Sequence, residues 1–199
     1  MTKKLVIFLH GVGSSGADLA VLGQLWQERL PDTHFSAPNA PQAFGQGGGW
    51  QWFSLNGITE ANRPQRIIEA RAEFDQTIQA ICQQQGVDPS QDKLVFVGFS
   101  QGSIMALDAL VSGRWPLAAV VAFSGRLATL QGKPGKAVPT LLVHGQRDPV
   151  IPWQESQQAQ EKLQALGIPV QVSWDATAGH TITQQGAENA GEFLKKHLA

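Results

Sequence analysis

Residues 94–110 read LVFVGFSQGSIMALDAL, and the reading of this stretch decides the fold. A short apolar run without polar alternation ends at Gly98, a single serine stands between Gly98 and Gly102, and an almost continuously apolar helical segment follows. An unbroken apolar run is what a strand covered on both faces requires. Gly98-Phe99-Ser100-Gln101-Gly102 has the form G-x-S-x-G, in which the serine occupies a strained strand-to-helix turn with its hydroxyl exposed at the carboxyl end of a sheet. A Cβ at either glycine would collide as strand and helix close on each other. The same turn aims the Gln101 backbone N–H, at the positive end of a helix, toward a developing oxyanion. A plain strand–helix turn is the competing reading. The apolar strand before the serine and the apolar helix after it favour the nucleophile.

Working outward, further short apolar runs alternate with longer helical patterns. Strands are expected at 5–9, 34–37, 94–97, 118–123, 140–144 and 170–174, and helices at 17–30, 63–85, 101–112, 153–166 and 184–198. Strands alternating with helices imply right-handed crossovers and an α/β fold, a mostly parallel, doubly wound sheet with helices on both faces. Two segments break the rhythm. Residues 40–62 form a long, glycine-rich loop carrying Trp50, Trp52 and Phe53, and loops of that length inside compact domains are commonly functional. Residues 131–139 read as an ordinary surface connection.

Composition bounds the function. The 199 residues suffice for one domain with a substantial core, so residues 1–199 are read as one unit. A net charge of −1 gives no electrostatic case for nucleic acid or an anionic membrane. The opening Lys3-Lys4-LVIFL is too short for a secretory signal, and no stretch reaches the roughly 18 apolar residues of a spanning helix. One cysteine, Cys82, excludes an internal disulfide framework and suits a reducing, cytoplasmic setting. It lies on a helical pattern and reads as a small buried hydrophobe.

A serine hydroxyl needs a base, and the base needs an orienting acid. In hydrolases built around this elbow the chain order is Ser, then Asp or Glu, then His. Only His144, His180 and His197 follow Ser100. His144 lies at a strand end ahead of any suitable acid, and His197 falls in the last turn of the final helix, where it complements the dipole. His180 follows the strand VQVSW in the loop DATAGH, at the carboxyl edge of the sheet. The acid belongs just past the preceding strand, where TLLVHGQRDPVIP supplies Asp148. Asp175 is a rival that follows the wrong strand and lies too near His180.

With these residues in place, the chain resembles the phospholipase/carboxylesterase family of small α/β-hydrolases, which includes acyl-protein thioesterases. The resemblance is carried by FLHGVGSSG, by APNAP followed by Trp52-Phe53, and by GFSQGS, HGQRDPVIP and AGH, spread from residue 8 to residue 180. It implies a single-domain α/β-hydrolase without a large cap. Ser100 would be nucleophile, His180 general base, Asp148 its orienting acid, and the N–H groups of Val12 and Gln101 the oxyanion hole. Substrates would be small-molecule carboxylic esters or thioesters, with lysophospholipase or acyl-protein thioesterase activity as the variant, and no cofactor or metal. Trp50, Trp52 and Phe53 would line the acyl groove. The chain departs from the family at Ser54, where Asp commonly follows WF, and in the unusual GQGGG at 45–49.

Gly11, Gly13 and Gly16 also spell G-x-G-x-x-G after a strand and before a helix, the dinucleotide-binding fingerprint. That reading wants an acid at the end of the second strand, where the chain has SAPNAP. It also leaves Ser100, Asp148 and His180 idle. A catalytically silent scaffold is a further alternative, opposed by the intact elbow, acid and histidine.

Overall fold

The computed structural model describes residues 1–45, 47–130, 132, 134 and 137–199, so four positions of the 131–139 connection and Gln46 of the 40–62 loop lie outside the described residues. In chain order the elements are β1 (Lys4–Leu9), α1 (Gly16–Trp26), β2 (His34–Ser36), β3 (Gln42–Ala43), β4 (Trp50–Gln51), α2 (Arg63–Gln85), β5 (Lys93–Phe99), α3 (Gln101–Ser112), β6 (Leu117–Phe123), β7 (Thr140–Gly145), α4 (Gln154–Ala165), β8 (Val170–Asp175) and α5 (Gln184–Leu198). Six strands form one sheet in the order β2-β1-β5-β6-β7-β8, every neighbour parallel. The order reverses direction after β1. The chain first steps outward to β2, then returns past β1 to β5 and continues across the sheet. Crevices at such a switch point, beyond the carboxyl ends of the strands, are where ligands bind in open α/β sheets.

The apolar strands explain the two cores. Leu5, Ile7 and Leu9 of β1 pack with Leu94, Phe96, Val120, Ala122 and Leu142 against α2, α3 and α4. Val6 and Phe8 pack with Val95, Val97, Val121, Phe123 and Val143 against α1 and α5. Every β1 residue from Leu5 to Leu9 is fully buried, which is why the run shows no alternation. Each such side chain contributes on the order of 1.5–3 kcal/mol by burial. α3 is the exception to the amphipathic rule: Gln101 through Val111 are all buried between the sheet and α2. Its Asp108, 1% exposed, is accommodated by a two-pronged pair with Arg71 at 2.7 and 2.9 Å and a further bond from Arg114 at 3.0 Å.

A local difference from the sequence reading has a physical cause. The 40–62 segment is not wholly irregular: β3 and β4 pair antiparallel, with Gln42 opposite Gln51 and Ala43 opposite Trp50. Strands of two residues are too short to show periodicity. Between β6 and β7, which are neighbours in the sheet, no helix lies among the described residues, as the sequence reading expects.

Candidate active site

The site is assembled from the ends of β1, β5, β7 and β8. At the end of β5, Ser100 has φ 56° and ψ −116°, a backbone region that side chains with a Cβ disfavour. The turn is held because the Ser100 N–H donates to the Phe123 carbonyl at 3.0 Å, and the Ser103 hydroxyl donates to the same oxygen at 2.7 Å. A Cβ at Gly98 would stand 2.5 Å from the Ser103 nitrogen, and one at Gly102 would run into the Leu9 carbonyl. Strand β1 and helix α3 touch at Gly102, which brings the loop after β1 beside Ser100.

Asp148 and His180 arrive on two loops stitched together by their backbones. Gln146 N–H donates to the Asp175 carbonyl at 2.7 Å and Arg147 N–H to the Ala178 carbonyl at 2.9 Å. Asp175 caps the second loop, accepting from the N–H groups of Thr177 and Ala178, and has no hydrogen bond to His180. Asp148 Oδ1 accepts from Val150 and Ile151 N–H at 2.8 and 2.9 Å, which leaves Oδ2 for His180 Nδ1 at 2.7 Å. Burial pushes the Asp148 carboxyl up, but the His180 bond and the two amides outweigh it and hold the group below the usual carboxylate range. An ionised carboxylate only accepts, so the proton of His180 sits on Nδ1. Nε2 is then a free base, 3.0 Å from the Ser100 hydroxyl.

His144 is fully buried beside this pair. Its Nε2 lies 2.7 Å from the Ile151 carbonyl, which can only accept, so Nε2 carries the proton and Nδ1 accepts from the Ser156 hydroxyl at 2.6 Å. The same Nε2 is 3.3 Å from Asp148 Oδ2. Burial holds its pKa below the ordinary histidine value, so it is a neutral brace behind the acid. His197 packs on Phe193 in the last turn of α5.

The loop after β1 carries His10, Gly11 and Val12. His10 Nε2 accepts from Ala40 N–H at 2.9 Å, which places its proton on Nδ1, 2.6 Å from the Gly11 carbonyl. Gly13 N–H donates to the Trp50 carbonyl and Trp50 N–H to the Ser14 carbonyl, so β4 braces this loop from outside. The Val12 N–H makes no hydrogen bond to a described residue. The Gln101 N–H, at the first position of α3, has no partner within the helix. The Gln101 side chain clamps the neighbouring segment: its Oε1 accepts from Trp52 N–H at 2.7 Å and its Nε2 donates to the Phe53 carbonyl at 2.8 Å.

A cavity of about 180 Å³ opens beside Ser100, walled by Val12, Phe53, Ile58, Ile104 and Ile151, with Arg63 and Arg126 also on its wall. The three aromatics expected there separate. Phe53 lines the cavity. Trp52 does not: it is 1% exposed, packs on Phe74 and donates its indole N–H to the His10 carbonyl at 2.9 Å. Its large apolar ring fills the core under the loop better than it could cover a groove. Trp50 packs half-buried against the same core, its backbone braced on the β1 loop, and is not on the cavity wall. Ser54, the departure from WF-Asp, closes a local turn by accepting from Asn56 N–H. Sequence reading missed the two arginines and the Gln101 side chain. The glutamine stood inside the quoted motif but only its backbone was considered, and the arginines belong to no periodic or motif signal.

The sequence matches the phospholipase/carboxylesterase family over residues 1–198. Esterase YpfH of Escherichia coli (strain K12) is 32% identical over 193 residues, 97% of this chain and 82% of the relative. Acyl-protein thioesterase 1 of Neurospora crassa is 28% identical over 214 residues, 97% of this chain and 86% of the relative. The crystal structure of esterase PE8 superposes with a TM-score of 0.89 at 38% identity, covering 98% of this chain and 93% of that one. A match of this extent, on an α/β sheet with the elbow at its switch point, places the chain in the phospholipase/carboxylesterase family of α/β-hydrolases.

Proposed function

We propose that residues 1–199 act as one α/β-hydrolase domain that cleaves small carboxylic esters or thioesters through an acyl-serine intermediate, with Ser100, His180 and Asp148 as nucleophile, base and orienting acid. The observation that carries this reading is the unbroken path from Asp148 Oδ2 to His180 Nδ1 at 2.7 Å and from His180 Nε2 to Ser100 Oγ at 3.0 Å. Ser100 Oγ attacks the acyl carbon while its proton passes to His180 Nε2. The carbonyl electrons move onto oxygen, which the N–H groups of Val12 and Gln101 receive, each donor contributing about 3–4 kcal/mol in a site that excludes water. Collapse breaks the bond to the leaving alcohol or thiol, which takes the proton from His180. Water then attacks the acyl-serine with His180 as base, releasing the acid and restoring Ser100.

Acyl-protein thioesterase and lysophospholipase activities use the same acyl-serine. The cavity of about 180 Å³ favours short acyl groups over the long chains of lipids, being smaller than the roughly 300–1,000 Å³ of pockets for drug-sized ligands. We also assign the chain to the cytoplasm. Its one cysteine is buried, with a thiol that burial pushes up and leaves inert, and among the described residues no helix is long and apolar enough to cross a membrane. Small-molecule substrates, rather than nucleic acid, fit the near-neutral charge.

Hydrolysis of p-nitrophenyl esters from acetate to decanoate tests the reading. Ser100→Ala should lose about 10⁴-fold or more in kcat with an unchanged circular dichroism spectrum, and the native enzyme should prefer the short end of the series. Native-like turnover by the variant would remove Ser100 from the mechanism.

A further inference from the structure

We propose that the acyl group of the natural substrate carries its own carboxylate, which Arg126 and Arg63 receive inside the cavity beside Ser100; the inference rests on the serine-hydrolase reading above.

The cavity wall is apolar except for Ser100, Gln101 and these two guanidinium groups. Arg126 follows β6 by three residues, and its side chain is only 13% exposed. Its Nε is buried and has no hydrogen-bond partner among the described residues. The nearest carboxylate, Glu155, stands 3.8 Å from Nη1, beyond hydrogen-bonding distance. Arg63 opens α2. Burial, and after it the like charge of Arg126, pull its guanidinium below the ordinary arginine value, with Glu155 and Glu60 offsetting this only in part. Two like charges thus share one apolar cleft, with the long 3.8 Å contact from Arg126 to Glu155 as their one ion pair among the described residues.

Two other sheltered arginines are paired with carboxylates. Arg71 and Arg114 both close on Asp108 at 2.7–3.0 Å, and Arg114 also meets Asp75 at 2.9 Å. Among the described residues neither Arg126 nor Arg63 has a carboxylate within hydrogen-bonding distance, and a planar fork of donors is matched by a carboxylate. A buried donor left unpaired is costly, so an incoming carboxylate would be favoured by that relief as well as by charge.

The carboxylate belongs to the acyl half and not to the leaving group. The leaving group must depart toward His180 Nε2, which supplies its proton, and His180 does not line this cavity. Val12 and Gln101, the oxyanion donors, do line it, so the acyl chain enters on the side of the arginines. With about 180 Å³ available, the acid is short, a four- or five-carbon dicarboxylic half-ester or half-thioester.

The test compares monoethyl succinate with ethyl butyrate, two ethyl esters of four-carbon acids, by pH-stat titration of the native chain, Arg126→Gln and Arg63→Gln. The native enzyme should favour monoethyl succinate at least about tenfold in kcat/KM, and either variant should cut the ratio of the two values about tenfold, with Arg126→Lys restoring part of it. A native ratio at or below one, or a ratio unchanged in both variants, overturns the proposal. Turnover of ethyl butyrate with no preference would refute this inference alone. Turnover of neither ester, together with no fluorophosphonate adduct, would remove the hydrolase reading and this inference with it.

Discussion

At φ 56° and ψ −116°, Ser100 holds a conformation that glycine would adopt with less strain, and the elbow keeps it there with bonds to Phe123 on both Ser100 N–H and the Ser103 hydroxyl. The strain points the hydroxyl out of the sheet at His180, so stability is exchanged for geometry. Ser100→Gly should therefore be more stable than Ser100→Ala by about 1 kcal/mol, while both are inactive. Urea unfolding of the two variants measures the difference, and equal midpoints would mean that the turn is unstrained. Gln101 clamps Trp52 and Phe53 through its amide, and in the proposed mechanism its backbone also serves as an oxyanion donor. Gln101→Ala keeps the backbone donor and leaves two buried main-chain groups unpaired. It should cost about 1–3 kcal/mol of stability and lower kcat while Ser100 still reacts with a fluorophosphonate. A variant with native stability would show that the clamp is idle.

At the level of elements, the loops after β1, β7 and β8 are each locked by backbone bonds to a neighbour, and the β3–β4 hairpin is the outer lock on the oxyanion loop. Trp52 belongs to this lock through its indole bond to His10. Trp52→Phe should cost about 1–2 kcal/mol in stability and leave the chain-length preference on p-nitrophenyl esters in place, because the ring faces the core. A shifted chain-length optimum would return Trp52 to the groove. The strands were legible because runs such as 94–97 and 118–123 are buried on both faces and need no alternation to reveal them. The elbow was legible because Gly98 and Gly102 are demanded by contacts that leave no room for a Cβ. The hairpin at 42–51 was not, since strands of two residues carry no period. The burial of Trp52 was not either, because an aromatic in a loop reads the same whether it faces solvent, substrate or core. Arg63 and Arg126 stand far apart in the sequence, at the start of α2 and just past β6, and only the folded chain brings both to one cavity wall.

Across the whole molecule, four sheltered titratable groups set the acid limit. Burial lowers the pKa of His10 and of His144, so both are neutral when folded and gain protons when unfolded. Their stabilisation is fully present above the unfolded histidine value of about 6.5 and is lost as pH falls below it. Asp108 and Asp148 also have lowered values, the penalty of burial being outweighed by Arg71 and Thr129 for the first and by His180 and two amides for the second. Their stabilisation is present above about pH 4 and is lost as pH falls through the lower folded values. The urea midpoint should thus fall first between about pH 6.5 and 5 and again below about pH 4, and a midpoint flat from pH 7 to 5 would contradict the assignment of neutral His10 and His144. Asp108→Asn, which strands Arg71 beside α3 and leaves Arg114 to Asp75 alone, should cost about 3–5 kcal/mol by the same measurement. A chelator should leave turnover unchanged, because the proposed mechanism assigns oxyanion stabilisation to backbone N–H groups and proton transfer to His180; inhibition reversed by added metal would show a missing component.

The central claim is that Ser100 is the activated nucleophile of this chain, and covalent labelling tests it most directly. After treatment with a fluorophosphonate, intact-mass analysis should show a single adduct, and peptide mapping should place it on Ser100, with labelling slowed in His180→Ala. An adduct on another serine, such as the neighbouring Ser103 or Ser124, or none at all, would contradict the account.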